Sequence, residues 1–289
     1  MRAEPIPLPY RAPYDWRALA AFLGARATPG VEAVSPDAYR RTIDLDGHAV
    51  IEIRRADGES GLTLRVSVPH PGLPAIVDRV RRMYDLDVEP AAVVAHLGSD
   101  PLLSHRLAAH PGIRVPGAWD PFELAVRAVL GQQVSVRAAT TLAGRLAEAH
   151  GSVIAKADGL NRLFPTAKQL VDAQLERLGV MPARATTIRA LARAVLDGRV
   201  TWGGDAPARS AALRRLPGIG PWTASYIAMR AFGDRDAFPS GDLILRRAAG
   251  DCSPRALEAR AEAWRPWRAY AVMLLWQDAV APPGRVMSE

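Results

Sequence analysis

One short string constrains this chain more than any other: "LPGIGPWTA", residues 216–224. It separates two helix-forming stretches, "ARSAALRR" before it and "WTASYIAMRAF" after it. Gly218 and Gly220 allow positive φ and place no side chain between the backbone and a partner. Pro221 suits the first position of the second helix, where a missing amide hydrogen costs nothing. Leu216 and Ile219 supply apolar anchors. The amides of Gly218, Gly220, Trp222 and Thr223 can then point outward from a turn and a helix start. Such a turn suits an anion, for example one phosphate. Arg214 and Arg215 flank it. The bland alternative is a helical hairpin with a glycine stop and no ligand.

Charge favours the ligand. The chain of 289 residues carries a net +7, which suits a polyanionic partner. An arginine-rich genome would give the same number. Lysine is scarce: only Lys156 and Lys168 occur. One cysteine, Cys252, excludes an internal disulfide framework and any cysteine-ligated cluster or zinc site. The six histidines are scattered without metal-ligand spacing. No apolar run approaches a membrane span, and "MRAEPIPLPY" lacks the apolar core of a secretion signal. A cytoplasmic, nucleoid-associated monomer is expected, with no membrane partner.

Patterning predicts an α+β chain. Residues 14–27, "YDWRALAAFLGARA", have helical apolar spacing. "HAVIEIRR" and "GLTLRVSV" read as strands around the turn signal "ADGESG". From about residue 89 strand signals stop and a series of helices follows. Asp120 and Ser135 are candidate N-caps there. The expected division is an α/β domain over 1–90, a helical subdomain from 91–119 plus 235–289, and a second over 120–234. The hairpin occupies about 210–232 of the second.

"DAFPSGD" ends on Asp242, where Pro239 and Gly241 fix a bend. Taken alone, Asp242 reads as the N-cap of the next helix. As part of a cleft with the hairpin it reads as an active-site carboxylate. Asp234 and Asp236 read as solvated loop charges. Trp222 and Tyr226 are four apart and share one helix face. They are core aromatics or the wall of a pocket.

These residues carry a resemblance. "LPGIGPWTA" is similar to the helix-hairpin-helix motif of DNA-binding proteins. Together with the aspartate behind it, the string resembles the helix-hairpin-helix DNA glycosylases. "PYDWRALAAFLGARA", "WDPFELAVRAVLGQQVSVRAATTLAGRLAEAHG" and "WRPWRAYAVMLLWQD" extend it almost end to end. The chain thus resembles the bacterial 3-methyladenine DNA glycosylase II family. That resemblance implies a small TATA-binding-protein-like α/β domain followed by helical domains that hold a cleft. It implies a glycosylase that flips alkylated purines out of duplex DNA and hydrolyses the glycosidic bond, leaving an abasic site.

The implied roles fall on particular residues. Asp242 is the catalytic carboxylate. Trp222, Tyr226, Trp276 and Phe22 line the base pocket, with Leu243 where some relatives carry an aromatic. Electron-rich rings attract a cationic alkylated base by roughly 0.5–2 kcal/mol each. Gln133 takes the intercalating position, a leucine in well-known members. Gly218, Gly220, Thr223 and Arg214 contact DNA. The backbone carbonyls of Arg214, Leu216 and Ile219 hold a sodium or potassium ion, and no other cofactor is required. Relatives that also nick the backbone place a lysine where this chain has Trp222, so a monofunctional enzyme is expected. The competing readings are a non-catalytic hairpin module and a glycosylase for a deaminated or oxidised base.

Overall fold

The computed structural model describes residues 4–45, 47–56, 61–69 and 71–280, with the side chains of 155–157 and 278–280 outside the description. The N-terminal part is an antiparallel sheet in the order β1-β5-β4-β3-β2. Its strands are β1 (Ile6–Pro9), β2 (Glu32–Val34), β3 (Ala38–Asp44), β4 (His48–Arg55) and β5 (Gly61–Val66). The alternation in β4 and β5 buries Ile51, Ile53, Leu62, Leu64 and Val66 on one face. Against that face pack α1 (Trp16–Gly24) and α2 (Leu73–Met83), through Trp16, Leu19, Leu23, Ile76 and Val80. β1 reads "IPLP"; proline cannot donate to a ladder, so this strand sits at the sheet edge.

The rest is mainly helical: α3 (Pro90–Leu97), α4 (Ser104–Ala109), α5 (Pro121–Leu130) and α6 (Val136–His150). Asp120 caps α5 by accepting from Glu123 N at 2.7 Å, and Ser135 caps α6. Here the expectation of helices alone is corrected. A two-stranded hairpin, β6 (Val153–Ala157) and β7 (Leu160–Arg162), follows α6. Its turn is Asp158-Gly159, with φ of 47° and 87°, the dipeptide that a tight hairpin favours. Then come α7 (Ala167–Leu170), α8 (Pro182–Leu196), α9 (Ala206–Arg214), α10 (Pro221–Ala231), α11 (Leu243–Ala248), α12 (Pro254–Ala261) and α13 (Arg268–Val280).

Two apolar cores result. One joins the sheet domain to α13 and its neighbours through Trp264, Tyr270 and Leu274. The other lies among α5, α6, α8 and α10. Tyr226 packs against both, which puts it at their seam. The sheet domain is also stitched to β7. Asn161 N and Arg162 N both donate to the Gly30 carbonyl, at 2.9 and 3.1 Å. Thr42 Oγ1 donates to the Arg162 carbonyl at 2.7 Å. Asp236 departs from the expected solvated loop charge. It accepts from Arg268 Nε at 2.8 Å and pairs with Arg265, tying its loop to α13.

Candidate active site

The hairpin forms as its sequence demands, but its two glycines differ. Gly218 has φ +79°, and a Cβ there would lie 2.0 Å from Thr187 Oγ1. Gly220 is extended, with φ −82° and ψ −179°, so positive φ is not what it supplies. A Cβ on Gly220 would meet nothing within 4 Å. Its bareness leaves room outside the protein, next to a helix start that no side chain caps. The first helical position of α10 is Pro221, and the following amides have no partner one turn back. Thr223 itself is buried, and its hydroxyl faces inward to Gln132. The Leu216 carbonyl accepts from Ile219 N at 3.2 Å and keeps a second lone pair. That carbonyl and those of Arg214 and Ile219 form the implied cation set.

α10 carries the hairpin directly into a cavity of about 460 Å³. Phe22, Trp222, Tyr226, Asp242 and Trp276 all line it. Trp222 and Tyr226 stack at 5.5 Å with planes 10° apart, as their four-residue spacing predicts. Phe22 stacks on Trp276 at 6.2 Å, and Tyr226 lies 6.2 Å from Trp276. Leu243 does not join them: it is 52% exposed, and its neighbour Ile244 lines the cavity instead. The reason is the start of α11, where one residue of rotation turns Ile244 inward and Leu243 outward.

Asp242 is both things that the sequence left open. Its Oδ1 accepts from Ile244 N at 2.9 Å and Leu245 N at 3.0 Å, which caps α11. Its Oδ2 accepts from Trp222 Nε1 at 2.8 Å, and Trp276 Nε1 donates to Oδ1 at 3.3 Å. Neutral donors thus fix the carboxylate against the aromatic wall. The turn before it closes through Asp242 N donating to the Pro239 carbonyl at 2.8 Å.

Sequence reasoning missed a cationic part of the wall. Arg26, Arg127 and Arg230 line the same cavity. The Arg26 guanidinium lies 3.7 Å from the Phe22 ring centre, and Arg230 4.7 Å from it. Arg230 donates to Tyr226 Oη at 2.9 Å and to the carbonyls of Pro116 and Gly117. Burial alone would raise the Tyr226 hydroxyl, but Arg230, Arg26 and Arg127 outweigh it and bring its pKa below the ordinary tyrosine value. Burial pulls the Arg26 and Arg230 guanidiniums down from their ordinary values. The rings of Phe22 and Tyr226 therefore already carry the protein's own cations.

Arg127 is anchored behind that wall by a buried ion network. It donates to Glu32 Oε2 and Glu123 Oε1, both at 2.8 Å, and to the Arg26 carbonyl. Arg41 donates to Glu123 Oε2 at 2.7 Å, and Tyr39 Oη to Glu32 Oε1 at 2.6 Å. Desolvation raises the Glu32 carboxyl, but Arg127, Arg41 and the Tyr39 hydroxyl carry it below the usual carboxylate range. The network joins β2 and β3 to α5, and Glu32, Arg41 and Glu123 themselves line the cavity.

Gln133 sits at the exposed tip between α5 and α6 with φ +53°. Val134 and Val136 beside it are also exposed. Arg214 closes α9, at the foot of the turn. Lys168 lies on α7 and does not line the cavity, while the side chain of Lys156 lies outside the description. No group of histidine, cysteine or acidic side chains that could hold a metal occurs among the described residues.

Known proteins resemble this chain in sequence and in fold. Residues 5–120 match the AlkA N-terminal domain, and residues 126–268 match the HhH-GPD superfamily base excision DNA repair protein. The chain is 34% identical to DNA-3-methyladenine glycosylase 2 of Escherichia coli over 282 residues, 93% of this chain and 95% of that one. The chain belongs to this glycosylase family. It is 42% identical to the probable bifunctional transcriptional activator/DNA repair enzyme AlkA of Mycobacterium tuberculosis, covering 95% of this chain but 57% of that protein. It therefore spans little more than half of that relative. The 3-methyladenine DNA-glycosylase of Archaeoglobus fulgidus shares the glycosylase fold, with a TM-score of 0.81 at 21% identity over 95% of this chain and 97% of that one. No helix among the described residues is long and apolar enough to cross a membrane.

Proposed function

We propose that this chain is a monofunctional DNA glycosylase that hydrolyses the glycosidic bond of alkylated purines in duplex DNA. The observation that carries the reading is Asp242. It is held by two indoles in a cavity walled by aromatics, one helix away from a turn suited to a phosphate. The glycine turn grips the backbone, Gln133 enters the stack, and the flipped base occupies the cavity. Asp242 faces the sugar and stabilises the positive charge that develops there. Water adds to the sugar carbon as the bond to the base breaks. The base leaves with the bonding electron pair, and the water proton passes to Asp242 or solvent.

The carbonyls of Arg214, Leu216 and Ile219 fit a monovalent cation, since they are neutral oxygens gathered on one turn. Such an ion would add positive charge next to the phosphate. The absence of a lysine at the position of Trp222 supports hydrolysis without strand cleavage.

The test is Asp242→Asn on a methylated duplex, with base release and binding measured together. Release should collapse while binding survives; unchanged release would overturn the assignment. Borohydride trapping of the wild-type enzyme should give no covalent adduct. A second reading has an observation behind it: Arg26 and Arg230 offer donors to a base that carries a carbonyl, as deaminated purines do. Release of hypoxanthine at a rate equal to or above that of methylated bases would favour it.

A further inference from the structure

Gln132 lies outside the cavity lining, yet its side chain reaches both the glycine turn and the start of α10. It precedes the exposed Gln133 in the loop between α5 and α6. Its side chain turns away from the tip toward the hairpin. Nε2 donates to the Gly218 carbonyl at 2.8 Å and to Thr223 Oγ1 at 2.9 Å. An amide nitrogen carries two hydrogens, and both are used here.

The two acceptors matter because of what they are attached to. Gly218 is the left-handed residue of the turn, pressed from behind by Thr187. Thr223 stands at the start of α10, next to Trp222, whose indole holds Asp242. The Gln132 amide therefore lies at the joint of the tip loop, the glycine turn and the helix that carries the pocket wall. Gln133 is in the left-handed region, which a side-chain-bearing residue adopts only under constraint. An anchored neighbour supplies that constraint.

The geometry points to Gln132 as a positioning residue that locks the Gln133 tip to the phosphate-gripping turn, so that gripping the backbone sets the tip in the stack. This rests on the glycosylase reading for the roles of tip and turn. Its consequence is specific to the flipping step. A lesion still paired and stacked needs the tip to be driven home; a lesion without a partner base is already loose.

The experiment compares Gln132→Ala and Gln132→Glu with wild type. Glutamate keeps the shape but offers an acceptor where a donor is required. Three readouts are taken: affinity for undamaged duplex, emission of 2-aminopurine beside the lesion as a report of unstacking, and single-turnover release of hypoxanthine or 7-methylguanine. Each lesion is placed opposite a normal base or opposite an abasic analogue. Duplex affinity should stay within about twofold, while release from the paired lesion and the emission change fall about tenfold, the scale of a lost buried hydrogen bond. Opposite the abasic analogue the deficit should shrink to about threefold or less. An equal deficit in both contexts, or none in either, overturns the proposal. If either Gln132 variant fails to fold, Thr223→Ser and Thr223→Val report the same contact: serine should behave as wild type and valine as the Gln132 variants. If wild-type protein frees no base from any lesion, the glycosylase reading has failed, and the 2-aminopurine signal still decides the role of Gln132.

Discussion

The two walls of the cavity are built on opposite plans. On one, a single carboxylate is held by neutral donors, the indoles of Trp222 and Trp276 and two backbone amides. On the other, Arg26 and Arg230 crowd around Phe22 and Tyr226, while Glu32 and Glu123, which also line the cavity, hold Arg127 and Arg41. The difference gives the cavity a direction. Breaking a glycosidic bond moves positive charge from base to sugar. A field running from guanidiniums to carboxylate assists that movement if the base lies at the arginine end. Two of the four rings read from sequence as cation traps, Phe22 and Tyr226, here already carry cations of the protein's own.

Removing the anion should have the largest effect. Asp242→Asn is expected to slow base release by about 10³-fold or more, roughly 4 kcal/mol. Asparagine caps a helix about as well as aspartate, so thermal unfolding should barely change. A large loss of stability would mean that the charge of Asp242 holds the fold, and the fall in base release would then not be a measure of chemistry. Undermining the cationic wall should come next. Glu32→Ala removes one of the two buried carboxylates that hold Arg127, together with the acceptor of the buried Tyr39 hydroxyl, and should destabilise the fold by about 3 kcal/mol in urea unfolding.

The same wall predicts a pH dependence. The folded-state pKa of Glu32 is depressed, so its stabilisation is fully present above the ordinary carboxylate pKa, about 4.3. It is lost as pH falls from there through the lower folded value. Glu32→Gln should flatten that part of a stability–pH curve, and a curve unchanged by the substitution would refute the network. Arg26→Met should have a smaller effect. Removing one guanidinium from the base end should shift preference toward cationic lesions over neutral ones by about tenfold, or 1.4 kcal/mol. Competition between 7-methylguanine and hypoxanthine duplexes measures it. Gly220→Ala touches neither wall and should change stability by less than about 0.5 kcal/mol. Its effect should appear in duplex affinity, where the methyl group meets the phosphate.

The parts of the site written locally in the chain were legible. Gly218, Trp222, Tyr226 and Asp242 lie within one stretch, and a turn, a four-residue spacing and a cap are short-range signals. The arginine wall was not. Arg26 lies in the turn after α1, Arg127 on α5 and Arg230 on α10, and nothing in their spacing announces that they meet. Leu243 and Ile244 show a different limit: a one-residue rotation at a helix start decides which faces inward. The five-stranded sheet was half legible. β4 and β5 alternate cleanly, whereas β1 is masked by its prolines and β2 has only three residues. The β6–β7 hairpin carried its Asp-Gly signal openly, but the helices around it obscured the reading.

The stitching of Gly30 to Asn161 and Arg162, with Thr42 across to β7, bears on size selection. A cleft between two freely hinged bodies would close to fit whatever entered it. Here three hydrogen bonds tie the sheet domain to β7, and Phe22, Arg26, Glu32 and Arg41 of that domain line the cavity. On the glycosylase reading, a wall fastened in this way would select by size as a fixed gauge does, turning an oversized adduct away at the mouth.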